Sequence, residues 1–376
     1  MQNYDMLVVG AGPAGSSTAF AAAKAGCRVL MVDKKKVLGQ PVQCAEYVPR
    51  LLLSKCSISK DSIVQNIASM MTHLPNGGTI ETKSPGFMLD RSIFDNELAG
   101  NARDAGVEIL SDTTCLARKG GKVMLKQGQT NIEIIPSLIV GADGPVSTVG
   151  QWMESVNKEF ITGLQYTLPL TEPQEHTEVF FQPEFFGGYG WLFPKGDVAN
   201  VGIGVKMNSK HEKQHPVMNA HNTYQHSLLN AHNTNQHSLR KKLDMFVEQL
   251  RDAGMVKNNP VSITGGLIPV GGPLKTVKND MLLVGDAAGH TDAITGGGIP
   301  QAVICGEMAG RIGGRAVLKG EIDLLNEYEV EWRGFFGQNL ENAVEKREIL
   351  ESHWDELDEI IDKCWVAFRG YYGNRP

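Results

Sequence analysis

Glycines, acids, one cysteine and a set of aromatic residues are spaced along this chain as chemistry would need them. Gly10, Gly12 and Gly15 form a Gly-x-Gly-x-x-Gly run directly after the apolar stretch Tyr4 to Val9 and before an alanine-rich stretch reaching Ala25. A second apolar run, Arg28 to Val32, ends in Asp33, with Lys34 beside it. Strand, glycine turn, helix, strand and acid together make the setting of a bound dinucleotide. Gly10 permits the tight turn, and Gly12 lets the backbone approach a pyrophosphate lying on the positive helix N-terminus. Gly15 lets helix and strand pack closely, and Asp33 is expected to accept hydrogen bonds from the adenosine ribose.

Two later segments extend the pattern. Leu138 to Gly144 reads as a strand ending in an Asp-Gly turn, and Met281 to Gly289 as another strand entering a turn through Gly285 and Asp286. Thr295-Gly296-Gly297-Gly298-Ile299 then opens an apolar helix, whose N-terminus suits an anion or a polarised ring edge. Tyr189, Trp191 and Phe193 alternate as a strand presents residues on one face. That face either lines an apolar channel or is sheet core. Cys44 reads three ways: packing beside a cofactor, a proton donor or redox thiol, or an inert small residue. Glu46 and Lys195 read either as surface charge or as contacts to a substrate headgroup.

The elements that must position these groups imply an α/β chain of ordinary soluble composition. Of 376 residues, 41% are hydrophobic and 21% charged, and the net charge of −6 gives no nucleic-acid footprint. The 42 glycines suggest tight turns and close backbone approaches to a ligand. Six cysteines without a CxxC pair read as reduced thiols of a cytoplasmic protein, and no signal peptide or membrane-spanning run is expected.

Further motifs carry a resemblance. Val284-Gly285-Asp286-Ala287-Ala288-Gly289 and the Asp90-Arg91-Ser92-Ile93-Phe94-Asp95 helix resemble landmarks of group A flavoproteins, which implies FAD. Tyr189 to Gly196 (Tyr-x-Trp-x-Phe-Pro-Lys-Gly), followed by Asn200-Val-Gly202-x-Gly204, resembles the signature of geranylgeranyl reductases. Pro41-Val42-Gln43-Cys44-Ala45-Glu46 resembles a loop of the same family. The resemblance implies a glutathione-reductase-like fold with three parts. A Rossmann-type FAD-binding domain (1–160 and 260–320) is interleaved near 45–90 with a mixed-sheet substrate domain (160–260). A helical C-terminal region follows (321–376). It places FAD contacts on Ala14, Asp33, Cys44, Ala45, Tyr47, Arg91, Cys115, Asp286, Gly298 and Ile299. It implies hydride transfer from reduced flavin to the double bonds of a prenyl chain, with Cys44, Tyr189 and Trp191 as catalytic candidates. Where family members often have Cys-Gly-Glu-Gly, this chain has Cys44-Ala45-Glu46-Tyr47, so Tyr47 is expected to narrow the pocket or change what enters it.

The electron donor is open between NAD(P)H, bound transiently because no second Gly-x-Gly-x-x-Gly exists, and a reduced ferredoxin or similar redox protein. Peripheral membrane contact is compatible with an apolar substrate. A flavin monooxygenase and a flavoprotein electron carrier are the competing functions. Residues 208–240 contain a tandem copy with an 11-residue period and six of the ten histidines. A duplicated surface insertion, extending a helix over Leu239 to Asp252, explains it without a metal. Glu321 to Lys363 carries 14 acidic and 4 basic residues in amphipathic helices, read as a solvated face or as a docking surface for a basic donor. The aromatic tail from Trp365 is expected to cover the site or to bind a partner.

Overall fold

The computed structural model describes residues 2–50, 59–206 and 234–373. Most of the duplicated segment and Cys56 lie outside the described residues.

The first sheet is built where the sequence has short runs buried on both faces. Strands β1 (Gln2–Val9), β2 (Val29–Val32), β6 (Glu108–Leu110), β9 (Thr130–Gly141) and β16 (Met281–Leu283) are parallel neighbours in the order β16-β9-β1-β2-β6. The pairing of Val9 with Val32 and with Gly141 brings three strand ends to one edge, where ligands bind in open α/β sheets. Strand β15 (Val277–Lys278) extends that sheet, and β7 (Thr113–Lys119) and β8 (Lys122–Gln127) join it through β9. Helices α1 (Pro13–Lys24), α2 (Arg91–Asp104) and α5 (Ile299–Lys319) contribute to the core on one side. Helix α3 (Thr148–Met153) packs in the core on the other. Helix α2 starts where Asp90 Oδ1 accepts from the Ser92 and Ile93 amides at 2.9 and 3.1 Å.

Helices α1 and α5 touch almost backbone to backbone. A Cβ at Gly306 would stand 2.6 Å from the Ala14 carbonyl oxygen, and one at Gly310 would collide with that of Thr18. The small residues therefore hold the two helix N-termini side by side.

The second sheet has the order β14-β10-β13-β12-β11-β4-β5-β3. Its strands are β3 (Tyr47–Pro49), β4 (Ile63–His73), β5 (Thr79–Leu89), β10 (Phe160–Pro169), β11 (His176–Phe180), β12 (Gly190–Lys195), β13 (Val198–Lys206) and β14 (Ser262–Pro269). All neighbours are antiparallel except β4 and β11. The sheet thus draws on 47–89 and 262–269 as well as on the 160–206 region. Along β12 the faces separate: Leu192 packs under helix α4 (Thr234–Asp252), while Trp191 and Phe193 face the opposite way. Helix α4 begins five residues before the Leu239 start read from the sequence.

The C-terminal region is helical, with α6 (Asn326–Trp332), α7 (Gln338–Ser352) and α8 (Leu357–Cys364). Trp332, Phe336, Leu340, Leu350, Trp354, Leu357 and Ile361 are buried there, whereas Phe335 and Ile349 point outward. Several of the acids are paired, as in Arg311–Glu331, Arg315–Glu327 and Arg333–Glu329. No helix among the described residues is long and apolar enough to cross a membrane.

Candidate active site

A single cavity of about 1740 Å³ runs from the carboxyl edge of the first sheet to the inner face of the second. It is lined by Gly10, Gly12, Ala14, Asp33, Lys34, Cys44, Ala45, Tyr47, Arg91, Cys115, Tyr189, Trp191, Asp286, Gly298 and Ile299. Of the site residues expected from sequence, Gly15 is absent from the wall, because it is packed behind it, and so is Lys195.

At the nucleotide end the three glycines have three distinct reasons. Gly10 has φ +103°, and a Cβ there would collide with the Ala142 carbonyl. A Cβ at Gly15 would collide with the Gly10 carbonyl, while one at Gly12 would meet nothing within 4 Å and stand in the cavity. Helices α1 and α5 have Gly12 and Gly298 as N-caps and no side-chain cap, so their first amides are left for a ligand. Two converging uncapped N-termini, with clearance at Gly12, fit the diphosphate of a dinucleotide. Asp33 also has a structural role. Its Oδ2 accepts from the Ala11 amide at 2.7 Å and its Oδ1 from the Lys35 amide at 2.8 Å, tying the turn to the end of β2. Each oxygen retains a lone pair for a ribose hydroxyl. Burial pushes the Asp286 carboxyl up, against the hydrogen bond from Thr291 (2.9 Å) and the nearby Arg91 charge.

The middle of the cavity is organised by Glu46, a buried residue with φ 71°. Its carboxylate accepts from Lys195 Nζ at 2.9 and 2.8 Å, from Asn200 Nδ2 at 2.9 Å and from the Arg91 amide at 2.9 Å. Surface charge is thus corrected for Glu46 and Lys195. They are each other's partners, and they join the Pro-Val-x-Cys-x-Glu loop to the Phe-Pro-Lys-Gly and Asn-Val-Gly strands. Asn200 and Gln165 also hold the Ala45 and Cys44 carbonyls, at 3.3 and 3.2 Å.

Cys44 has a charged neighbour that its sequence surroundings did not reveal. Burial raises the thiol's pKa, and the Arg91 guanidinium opposes that rise only in part, so the thiol is neutral. Burial works against the charge of Arg91, but Asp95 outweighs it through paired bonds of 2.9 and 3.1 Å. Cys115 is a buried thiol whose pKa is also raised by burial.

The far wall is aromatic. Trp191 donates to Gln165 Oε1 at 3.0 Å, and the Tyr189 hydroxyl donates to the Thr295 carbonyl at 2.5 Å. Burial pushes the Tyr189 phenol far up, so it serves as a donor and not as a charged group. Tyr189, Trp191 and Phe193 all line the cavity, so the face that sequence left open between channel and core is both. The tail supplies the cover. Trp365 packs edge-on against Tyr189 and Phe181, its Nε1 donates to Thr72 Oγ1 at 3.3 Å, and residues 365–369 with Tyr371 and Tyr372 complete the wall. Arg347, missed in the sequence, reaches from α7 to the Ala293 carbonyl at 2.7 Å and the Gly187 carbonyl at 2.5 Å, bracing the loops on either side of Tyr189.

Comparison with known proteins agrees with this geometry. Residues 5–119 match the FAD dependent oxidoreductase model, and residues 160–247 the geranylgeranyl reductase catalytic domain. Digeranylgeranylglycerophospholipid reductase 1 of Methanococcoides burtonii is 33% identical over 95% of this chain and 86% of its own. The corresponding reductase of Methanococcus vannielii is 32% identical over 96% and 90%. The crystal structure of a geranylgeranyl bacteriochlorophyll reductase-like protein from Thermoplasma acidophilum superimposes with a TM-score of 0.82 at 26% identity, covering 98% of this chain and 93% of that one. A flavin-dependent brominase at 14% identity and a TM-score of 0.70 shares the fold alone. The chain belongs to the geranylgeranyl reductase family of FAD-dependent oxidoreductases.

Proposed function

We propose that this protein reduces carbon–carbon double bonds in the prenyl chains of an isoprenoid lipid. The observation that carries the reading is the single cavity, in which the two uncapped helix N-termini and the aromatic wall of the second sheet share one space. FAD, when bound and reduced, supplies a hydride to one alkene carbon.

The chain's own residues supply the rest. An isolated alkene has no polarised group to grip, so catalysis depends on holding it in place and excluding water. Tyr189, Trp191, Phe193 and Trp365 form an apolar wall for that purpose. Burial of each CH₂ is worth about 0.8 kcal/mol, so one isoprene unit gains several kcal/mol from these walls without a polar contact. Cys44, half-buried on the cavity wall, keeps its proton because desolvation raises its thiol's pKa, and it offers that proton to the second carbon. The thiolate left behind is favoured by the adjacent Arg91 charge and regains its proton from solvent when product leaves. Gly10, Gly12, Ala14, Asp33, Lys34, Ala45, Cys115, Asp286, Gly298 and Ile299 hold the cofactor, with Gly15 supporting the turn. NAD(P)H or a reduced ferredoxin supplies the electrons, and contact with a bilayer surface supplies the lipid.

The test is product analysis with a chemical reductant in place of the donor. Protein reduced with dithionite and given a geranylgeranylated glycerophospholipid should yield lipid with two hydrogens added per reduced bond. Unchanged lipid, with rapid flavin turnover once oxygen and NADPH are supplied, would point to an oxygen-using enzyme instead.

A further inference from the structure

Tyr47 stands where the sequence departs from the family pattern, and its ring has an unusual reach. It belongs to the edge strand β3, whereas its aromatic partner Phe193 belongs to β12, four places away in the sheet order. At roughly 4.8 Å per strand, a flat sheet would hold their backbones about 19 Å apart. The two rings nevertheless meet edge to face with centroids 5.9 Å apart. The sheet is therefore curled into a trough between the edge strand β3 and the interior strand β12, and the Tyr47–Phe193 contact spans it. The phenol is pinned at the outer rim, where its oxygen lies 2.9 Å from Ser84 Oγ and 3.1 Å from the Ser84 carbonyl oxygen. Gly86 provides the room, since a Cβ there would lie 2.5 Å from Tyr47 Cε2. Tyr47 lines the same cavity as Cys44, Tyr189, Trp191, Thr82, Lys83 and Ser84.

We propose that Tyr47, braced between Phe193 and Ser84, is a specificity-determining bar that limits how much of a prenyl chain enters the chamber beside Cys44. This rests on the prenyl-reductase reading above. A slim chain passes the ring only to a fixed depth, because the ring cannot swing outward without losing both Ser84 contacts or inward without striking Phe193. The bar therefore sets how many isoprene units are gripped and which double bonds come within reach of the cofactor. Phe193 and Gly86 act with it, one as the opposing wall and the other as the clearance that the ring requires.

The experiment compares wild type, Tyr47→Ala and Tyr47→Phe as holoenzymes, with retained flavin absorbance checking the fold. Tyr47→Val replaces the alanine variant if that one loses flavin. Geranyl, farnesyl and geranylgeranyl diphosphate are titrated against the fluorescence of the tryptophans lining the cavity. The number of hydrogens added per chain is then read by mass spectrometry at equal total turnover. The bar predicts that affinity rises several-fold per isoprene unit in wild type and Tyr47→Phe and then levels off. In the opened variant the rise continues and the products shift towards more hydrogens per chain. Identical length dependence and identical product distributions in all variants would overturn the bar while leaving the reductase standing. Absence of prenyl binding and reduction in the wild type would overturn both.

Discussion

Lys195→Met probes the buried network that joins the two family motifs. In the native protein the Glu46 carboxylate, on a residue 3% exposed, accepts from Lys195, Asn200 and the Arg91 amide. Removing the ammonium leaves a buried charge with neutral donors only. Breaking a buried pair by deleting one partner costs about 3–5 kcal/mol. The lower end applies here because Asn200 and the Arg91 amide remain and the Lys195 side chain is 19% exposed. With an unfolding entropy of about 2.1 cal/mol/K per residue, 376 residues give about 0.8 kcal/mol/K, so a loss of about 3 kcal/mol lowers Tm by about 4 °C. The assay is thermal unfolding of the holoenzyme followed by flavin fluorescence, with Glu46→Gln and the double variant completing a cycle. Glu46→Gln removes the charge that Lys195 neutralises, so adding Lys195→Met to it should cost much less than in wild type. A Tm fall below about 1 °C, or an equal fall in both backgrounds, would refute the view that Lys195 exists to neutralise Glu46.

Other outcomes follow from the same structure. Gly10→Ala should prevent stable folding, through its collision and its positive φ, whereas Gly12→Val should fold and bind FAD at least about tenfold more weakly, since its side chain fills ligand space (about 1.4 kcal/mol per tenfold); equilibrium dialysis and circular dichroism separate the two. The Cys44 thiol should resist iodoacetamide to a pH above the ordinary thiol value of about 8.5, read on its own peptide by mass spectrometry. Because that folded pKa is raised, its contribution to stability is full below the unfolded value and is lost as pH rises. His290, buried against Trp332, has its pKa pushed down to about 3 by burial and by Arg333. Its contribution is full above about pH 6.5 and is lost as pH falls, by up to about 1.4 kcal/mol per pH unit; His290→Phe should flatten the acid limb of urea-unfolding profiles.

Much of the nucleotide end was legible in the sequence because its chemistry is local. A turn, a helix start and a strand end within some 30 residues must carry their own glycines and acid, so Gly10, Gly12, Gly15 and Asp33 could be read one by one. The second half of the site is assembled from distant segments, and no local pattern announces that. Glu46 meets Lys195 149 residues away, and Cys44 meets Arg91 only because α2 begins beside the loop. The charges of Glu46 and Lys195 were legible, but the burial that turns them into a structural pair was not. Alternation in Tyr189, Trp191 and Phe193 showed one face, and only the arrival of Trp365 showed that this face is the wall of a covered cavity. Tyr47 was visible as a departure from a motif; its reach across the trough depends on sheet curvature, which sequence does not express.

The most direct test of the central claim is anaerobic stopped-flow of the dithionite-reduced protein mixed with geranylgeranyl diphosphate, with excess reductant removed. The account predicts that the oxidised flavin spectrum returns in step with lipid gaining two hydrogens per bond, and that neither change occurs without the prenyl chain. Flavin that stays reduced in the presence of bound lipid would contradict it.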